Sequence, residues 1–260
     1  MRVFLIGSGN VATHFALRLK SAGASIAGIY SKTLENAKIL ADKIDVPYTN
    51  DKTQIPNADI YICSVKDDSI SDALSGITFP DYAIVVHTAG SVDMSVLKPF
   101  AQNIGVIYPM QTFSKTKSVD WNEVPLFIEA NTQDNINKLL LFANNLSYKC
   151  TVASSAQRKI IHLASVFACN FTNEIYAIAD RLLTENGMDF SILHPLIDET
   201  VAKIKTMRPV DAQTGPAKRN DKKVMEMQMS LLNGTDREIY KLISEAIIKE
   251  LTIKLLTNVK

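Results

Sequence analysis

No stretch of the 260-residue chain approaches the roughly 20 consecutive apolar residues that cross a bilayer, so no membrane-spanning helix is expected. The N-terminus lacks a basic flank and a small-residue cleavage site, and its first residues read as a core strand rather than a secretion signal. Cysteine is scarce. Cys63, Cys150 and Cys169 are odd in number and widely spaced, which fits neither a disulfide framework nor a zinc site and suits a reducing cytoplasm. Charge of either sign is not in excess: 28 Lys and Arg stand against 27 Asp and Glu. That balance excludes a nucleic-acid binder relying on a strong global field and leaves a small molecule as the expected partner, with neither nucleic acid nor membrane. Internal repeats and low-complexity linkers are also missing. What remains is ordinary globular material, 47% hydrophobic and 21% charged, long enough for one large domain or two of usual size.

The most informative stretch is the start, Met-Arg-Val-Phe-Leu-Ile-Gly-Ser-Gly-Asn-Val-Ala. Val3–Ile6 is an apolar run suited to a buried strand. Gly7, Ser8, Gly9, Asn10, Val11 and Ala12 then form a GxGxxA turn leading into a helical pattern through Phe15, Ala16 and Leu19. Gly7 permits the tight turn. Gly9 lets a pyrophosphate approach its backbone, Ala12 lets helix and sheet pack closely, and the free N–H groups of the helix face the phosphates.

Further strands are expected at 25–31, 46–48, 58–65 and 83–87, and again at 104–108, 126–129 and 148–152, with helices between them. Apolar strands alternating with helices indicate a doubly wound, mainly parallel sheet covered on both faces: an α/β Rossmann domain over residues 1–152. From Ser154 the pattern changes. Ile160, Ala164, Phe167, Phe171, Ile175, Ile178 and Leu182 recur at spacings of three and four, predicting one long helix that stops at Asn186-Gly187. Later helices are expected over 192–207 and from Lys222 onward, with no strand after Val152. Residues 153–260 therefore read as a helical substrate or dimerisation domain.

The close of the second strand usually discriminates between the two nicotinamide dinucleotides, an acid there binding the ribose 2′-hydroxyl of NAD. Ser31-Lys32-Thr33 stands at that place, two hydroxyls around a cation, which suits the 2′-phosphate of NADP. The alternative is a solvent-facing turn in which Thr33 caps the next helix. Further cofactor contacts are expected at the carboxyl ends of later strands, from Ser64, Val65 and Lys66 and from Thr88 and Ala89. Asp67 and Asp68 read either as an acid/base pair or, more simply, as first-turn charge for a short helix.

Val-Lys-Asp-Asp at 65–68, His-Thr-Ala-Gly-Ser at 87–91 and Ile-Tyr-Pro-Met-Gln-Thr-Phe at 107–113 resemble a Rossmann-like family with a C-terminal domain of unknown function, DUF2520. The segments 162–165 through 170–171 and Gln213–Asp221 match it too, so the resemblance covers nearly the whole chain. The family is similar to the pyrroline-5-carboxylate reductase, ketopantoate reductase and 6-phosphogluconate dehydrogenase superfamily. The resemblance implies NADP binding, a helical second domain and a homodimer built through it. Related hydroxyacid and ketopantoate enzymes carry a Lys and an Asn four residues apart on the long helix. Here Lys159 is followed at that spacing by Leu163, a departure that puts retained catalysis in question.

Opposite the apolar stripe of that helix, Lys159, His162, Ser165, Cys169, Asn170 and Asn173 form a polar one. His162 is its only histidine and the first candidate proton donor; Asn170 and Asn173 are candidate positioning groups. Each also reads as a satisfied histidine or surface amide. His87, at a strand end, is the second catalytic candidate. Tyr108, Gln111 and Thr112 leave another strand end as candidate substrate contacts, and Lys218 and Arg219 could reach an anionic group, unless their loop merely leads into a helix capped by Asp221. No metal is expected. The expected function is transfer of a hydride between NADPH and a small carbonyl or imine. The alternatives are a catalytically inactive NADP-binding sensor and, less compatible with Ser31-Lys32-Thr33, methyl transfer.

Overall fold

Short β-branched runs alternating with amphipathic helices produce a layered sheet in the computed structural model, which describes residues 1–114 and 117–257. The strands are β1 (Arg2–Ile6), β2 (Ser25–Tyr30), β3 (Tyr48–Thr49), β4 (Ile60–Cys63), β5 (Ile84–His87), β6 (Asn103–Pro109), β7 (Leu126–Ala130) and β8 (Cys150–Val152). They lie in the order β3-β2-β1-β4-β5-β6-β7-β8. Every neighbouring pair is parallel except β6 and β7, which run antiparallel. This is the doubly wound sheet the sequence predicts, with two strands added at one edge.

Successive residues of each strand point to opposite faces, and both faces are buried. Val3, Leu5, Ile60, Ile62 and Val86 pack under α1 (Asn10–Ser21) and α2 (Leu34–Ile44), in a layer continued by Leu139 and Phe142 of α4 (Gln133–Ala143). Phe4, Ile6, Tyr61, Cys63 and Val85 pack on the other side with Ile70 and Leu74 of α3 (Ile70–Leu74) and with Leu97. One row crosses the sheet through Ile6, Cys63, His87, Val106 and Glu129. Two of its members, His87 and Glu129, matter below.

After β8 the chain is helical. Ser154 opens α5 (Ser155–Ser165) with a capping box closed by Gln157. A π-helical stretch, Val166–Phe171, joins it to α6 (Thr172–Glu185), and Gly187 at φ +72° ends the run where Asn186-Gly187 predicted a stop. Then come α7 (His194–Thr206), α8 (Pro209–Ala212), α9 (Lys222–Ser230, capped by Asp221) and α10 (Gly234–Thr257). No strand follows Val152 among the described residues.

The chain divides into two compact units, Met1–Cys169 and Asn170–Lys260. The sequence reading ends the first domain at Val152. The structure carries it through α5 because that helix is bound to the sheet: Arg158 is fully buried and pairs with Glu129 of β7 at 2.5 Å. The apolar stripe of the helical pattern is not core here: Ile160 on α5 and Phe167 in the π-helical stretch are 67% and 62% exposed. No helix among the described residues is long and apolar enough to cross a membrane, none of their His, Cys, Asp and Glu groups suits a metal ion, and all three cysteines are unpaired.

Candidate active site

The carboxyl ends of β1, β2, β4, β5 and β6 open on one cleft of about 810 Å³, within the range of ligand sites. Its walls belong entirely to the first unit.

At one side lies the glycine turn. Gly7 sits at φ +118°, and a Cβ there would stand 2.2 Å from the Ser64 carbonyl oxygen, so only glycine fits. Gly9 differs. Its backbone is extended, at φ −72° and ψ −171°, and nothing lies within 4 Å of where its Cβ would be. The cleft is therefore open in front of Gly9. Gly9 is also the N-cap of α1, with no side-chain cap and no acid in the first turn, so the leading N–H groups remain available to an anion. An open cradle, free amides and unopposed helix polarity fit a pyrophosphate. Ala12 is buried under the sheet, as close packing of helix and strand requires, and does not line the cleft.

Next to this turn, Ser8 Oγ and Ser31 Oγ are 2.9 Å apart, and exposed Lys32 completes the wall. Thr33 is the N-cap residue of α2, but its side chain makes no capping bond, and it is not part of the cleft surface. Ser64 and Thr88 lie deeper, their hydroxyls 2.8 Å apart. Val65, Lys66 and Ala89 line the cleft beside them. Asp67 accepts from the Ser91 hydroxyl and so ties the β4 loop to the β5 loop. Asp67 and Asp68 open a short 3₁₀ turn, the plainer of their two readings.

The far side holds the candidate chemistry. Tyr108 at the end of β6 and His162 on α5 meet with the phenol oxygen 3.1 Å from Nδ1, their rings edge-on at 73°. Burial raises the Tyr108 phenol above its ordinary pKa, while a hydrogen bond with Ser165 and the charge of Arg158 pull it back. Gly90 closes the triangle. A Cβ at residue 90 would lie 2.6 Å from His162 Nδ1 and 2.8 Å from the Tyr108 ring, so the β5 loop approaches the pair as closely as a backbone can. Gln111 lines the same end, while Thr112 does not. Asn10 spends its amide on the Phe113 carbonyl at 2.9 Å.

The second catalytic candidate fails on burial. His87 is 0% exposed, its Nδ1 accepts from the Ala89 amide at 3.1 Å, and it is absent from the cleft wall. Desolvation, with Arg158 nearby, drives its pKa down to about 3, so the ring is neutral and structural. Its Nε2 has no hydrogen-bond partner among the described residues. Asn170, Asn173, Lys218 and Arg219 all belong to the second unit and none lines this cleft. Lys159, on the expected polar stripe, pairs instead with Asp93 at 3.6 Å. Sequence reasoning missed Tyr30, Lys52, Ser69, Asp72 and Ala73 in the wall beyond Lys32. Tyr30 closes β2 and Lys52 follows β3, while Ser69, Asp72 and Ala73 come from the segment after β4, which the sheet order places beside β1.

Residues 2–90 match the family described as "NADP oxidoreductase coenzyme F420-dependent", and residues 124–247 match the domain of unknown function DUF2520. Among solved structures, a provisionally named NADP oxidoreductase, BF3122 from Bacteroides fragilis, is 41% identical over 95% of this chain and 98% of its own, with a TM-score of 0.87. A 1-pyrroline-5-carboxylate reductase from Streptococcus pyogenes shares the fold at 15% identity, covering 96% of this chain and 98% of its own, with a TM-score of 0.67. A reductive aminase from Aspergillus terreus, in complex with NADPH and ethyl levulinate, does so at 12% identity over 96% and 94%, with a TM-score of 0.72. No curated protein sequence matches the chain.

Proposed function

The chain belongs to the Rossmann-like family of NADP oxidoreductases that carry the DUF2520 domain, and from that premise we propose that it moves a hydride between NADPH and a small carbonyl or imine compound, with His162 donating the proton. The observation that carries the reading is the Tyr108–His162 pair, seated against Gly90 in the wall of the glycine-turn cleft.

Gly9 and the leading amides of α1 receive the pyrophosphate, and Ser8, Ser31 and Lys32 receive the 2′-phosphate. When bound, NADPH supplies a hydride to the substrate carbon; the chain supplies the proton that the oxygen or nitrogen then needs. The proton comes from the protonated His162 ring: its Nε2–H is given up to the substrate oxygen or nitrogen while Nδ1 keeps its hydrogen bond with the Tyr108 hydroxyl, and a neutral imidazole is left. Gln111 holds the substrate's polar group. The candidate contacts from the second unit, Asn170, Asn173, Lys218 and Arg219, stay part of the proposal, as does a cytoplasmic setting, which three unpaired cysteines suit.

A homodimer through the helical domain belongs to the same reading. Among the described residues of Asn170–Lys260 only Ala217 and Met225 are buried apolar residues, while Leu196, Ile204, Leu231 and Leu242 are exposed. A second copy would cover such a surface.

The absent Lys/Asn pair at Lys159 and Leu163 favours a second reading, an NADP-binding sensor without turnover. Titration with NADPH and NADH, followed by NADPH oxidation across a panel of small ketones, aldehydes and imines, separates the two. NADPH should bind more tightly than NADH, and Lys32→Ala should erase roughly tenfold of that preference. Equal affinity for both dinucleotides would sink the cofactor assignment. His162→Gln should slow turnover by about 10²–10⁴-fold with cofactor affinity nearly unchanged. Binding without turnover on any substrate class would leave the sensor.

A further inference from the structure

Arg158 has no part in the reading above, yet it is the largest of the fully buried side chains. Its guanidinium is spent in three directions. Nη1 meets Glu129 Oε2 at 2.5 Å, Nε donates to the Ala89 carbonyl at 3.1 Å, and Nη2 donates to the Val92 carbonyl. Ser155, at the start of α5, closes the network. Its amide and hydroxyl donate to Glu129 Oε1 at 2.8 and 3.0 Å, and its Oγ accepts from Arg158 Nη2 at 3.3 Å and from the Met94 amide at 3.1 Å.

Stability does not explain this arrangement. A buried ion pair rarely outperforms an apolar pair of the same shape, because both charges lose their water. What the network does is geometric. Two of the three directions end on carbonyls of the segment Thr88–Val92, which carries the cleft residues Thr88, Ala89 and Gly90. Arg158 lies one helical turn before His162, on the same face of α5, and Gly90 touches the His162 ring. The guanidinium's planar fork can hold both carbonyls and the carboxylate at once, which an ammonium cannot.

We infer that Arg158 is a positioning residue: it draws the Ala89 and Val92 carbonyls onto the first turn of α5, fixes the 88–92 segment against His162, and so governs how the nicotinamide half of the dinucleotide is held. The inference rests on the proposed NADP reading. It acts through backbone, on one end of the ligand only.

That asymmetry supplies the test. Calorimetric titration of the full chain with NADP⁺ is compared with titration by 2′,5′-ADP, which keeps the adenosine and 2′-phosphate and lacks the nicotinamide. Two variants are used. Arg158→Lys keeps the charge without the fork, and Arg158→Met with Glu129→Leu removes both charges together, so no unpaired carboxylate is left to unfold the protein. In each, the NADP⁺ dissociation constant should rise about tenfold or more, while that of 2′,5′-ADP stays within about twofold. If Arg158→Lys does not fold, the double variant decides. A merely structural arginine would lower the melting temperature and leave the ratio of the two affinities as it was. An unchanged ratio in a folded variant therefore overturns the inference. If the unaltered protein binds neither ligand, the NADP reading itself fails and the inference with it.

Discussion

The two units of this chain bury their apolar residues very differently. In Met1–Cys169 the sheet is covered on both faces, and side chains such as Phe4, Phe15, Ile62 and Val86 have no more than 1% of their surface in water. In Asn170–Lys260 the amphipathic helices have nearly no inside: Leu196, Leu231 and Leu242 are each more than 60% exposed. Both regions have helices with clear apolar periodicity. The difference is what the periodic face finds. A sheet gives every helix of the first unit an apolar surface to cover, whereas the helices of the second offer most of theirs outward. Amphipathicity states that a partner exists, and only the fold says whether that partner lies in the same chain.

The comparison breaks most readily by separating the units. Residues 1–169 alone should melt cooperatively, and residues 170–260 alone should not, when both are followed by circular dichroism at micromolar concentration. A cooperative, monomeric, concentration-independent melt of the second piece would remove the need for a second copy. Within the first unit, Gly9→Val should lower NADPH affinity by about 100-fold or more while the protein stays folded, since the new side chain enters open space where the pyrophosphate belongs. Gly7→Val should do the opposite kind of damage. Its Cβ meets the Ser64 carbonyl, so the melting temperature falls whether or not ligand is present.

A smaller effect tests the density of the first core. His87 protonates near pH 3 in the folded protein and near 6.5 when unfolded. Between those values the unfolded chain binds the extra proton, so this residue's contribution is fully present above 6.5 and is lost as pH falls towards 3. Between pH 6.5 and 5 that amounts to about 2 kcal/mol, which His87→Asn should abolish in urea titrations compared at the two pH values. An identical acid slope in protein and variant would mean that water reaches the ring. The smallest effect sharpens the other side. On the surface of a lone chain Leu196→Ala should cost no more than about 0.5 kcal/mol; under a second copy it should cost about 2 kcal/mol or more and raise the dimer dissociation constant in ultracentrifugation.

Much of this was legible beforehand because the signals are local. The GxGxxA turn, the apolar strands and the stop at Asn186-Gly187 each follow from a few adjacent residues, and each stands where the pattern placed it. The polar stripe on α5 named His162, which lines the cleft, but said nothing of Tyr108, 54 residues away, as its partner. His87 misled because a strand end reads as exposed, and the loop that folds back over it under Arg158 is written in backbone carbonyls, which have no sequence signature. Arg158 itself carried a weak mark. It stands four residues before His162 and seven before Ser165, on one helical face, a position at which a charged residue is either solvent-facing or deeply committed.

Gly90 has an evolutionary consequence. The space its missing side chain leaves is filled by the His162 ring and the Tyr108 phenol. The three positions therefore form one inherited unit: any descendant of this sequence that keeps both rings must keep glycine at 90, and only one that trades both for small residues is released to place a side chain there. Chains of this fold should sort into those two groups, and the identity of a silent loop residue would then report, without any assay, which of them retain the ring pair.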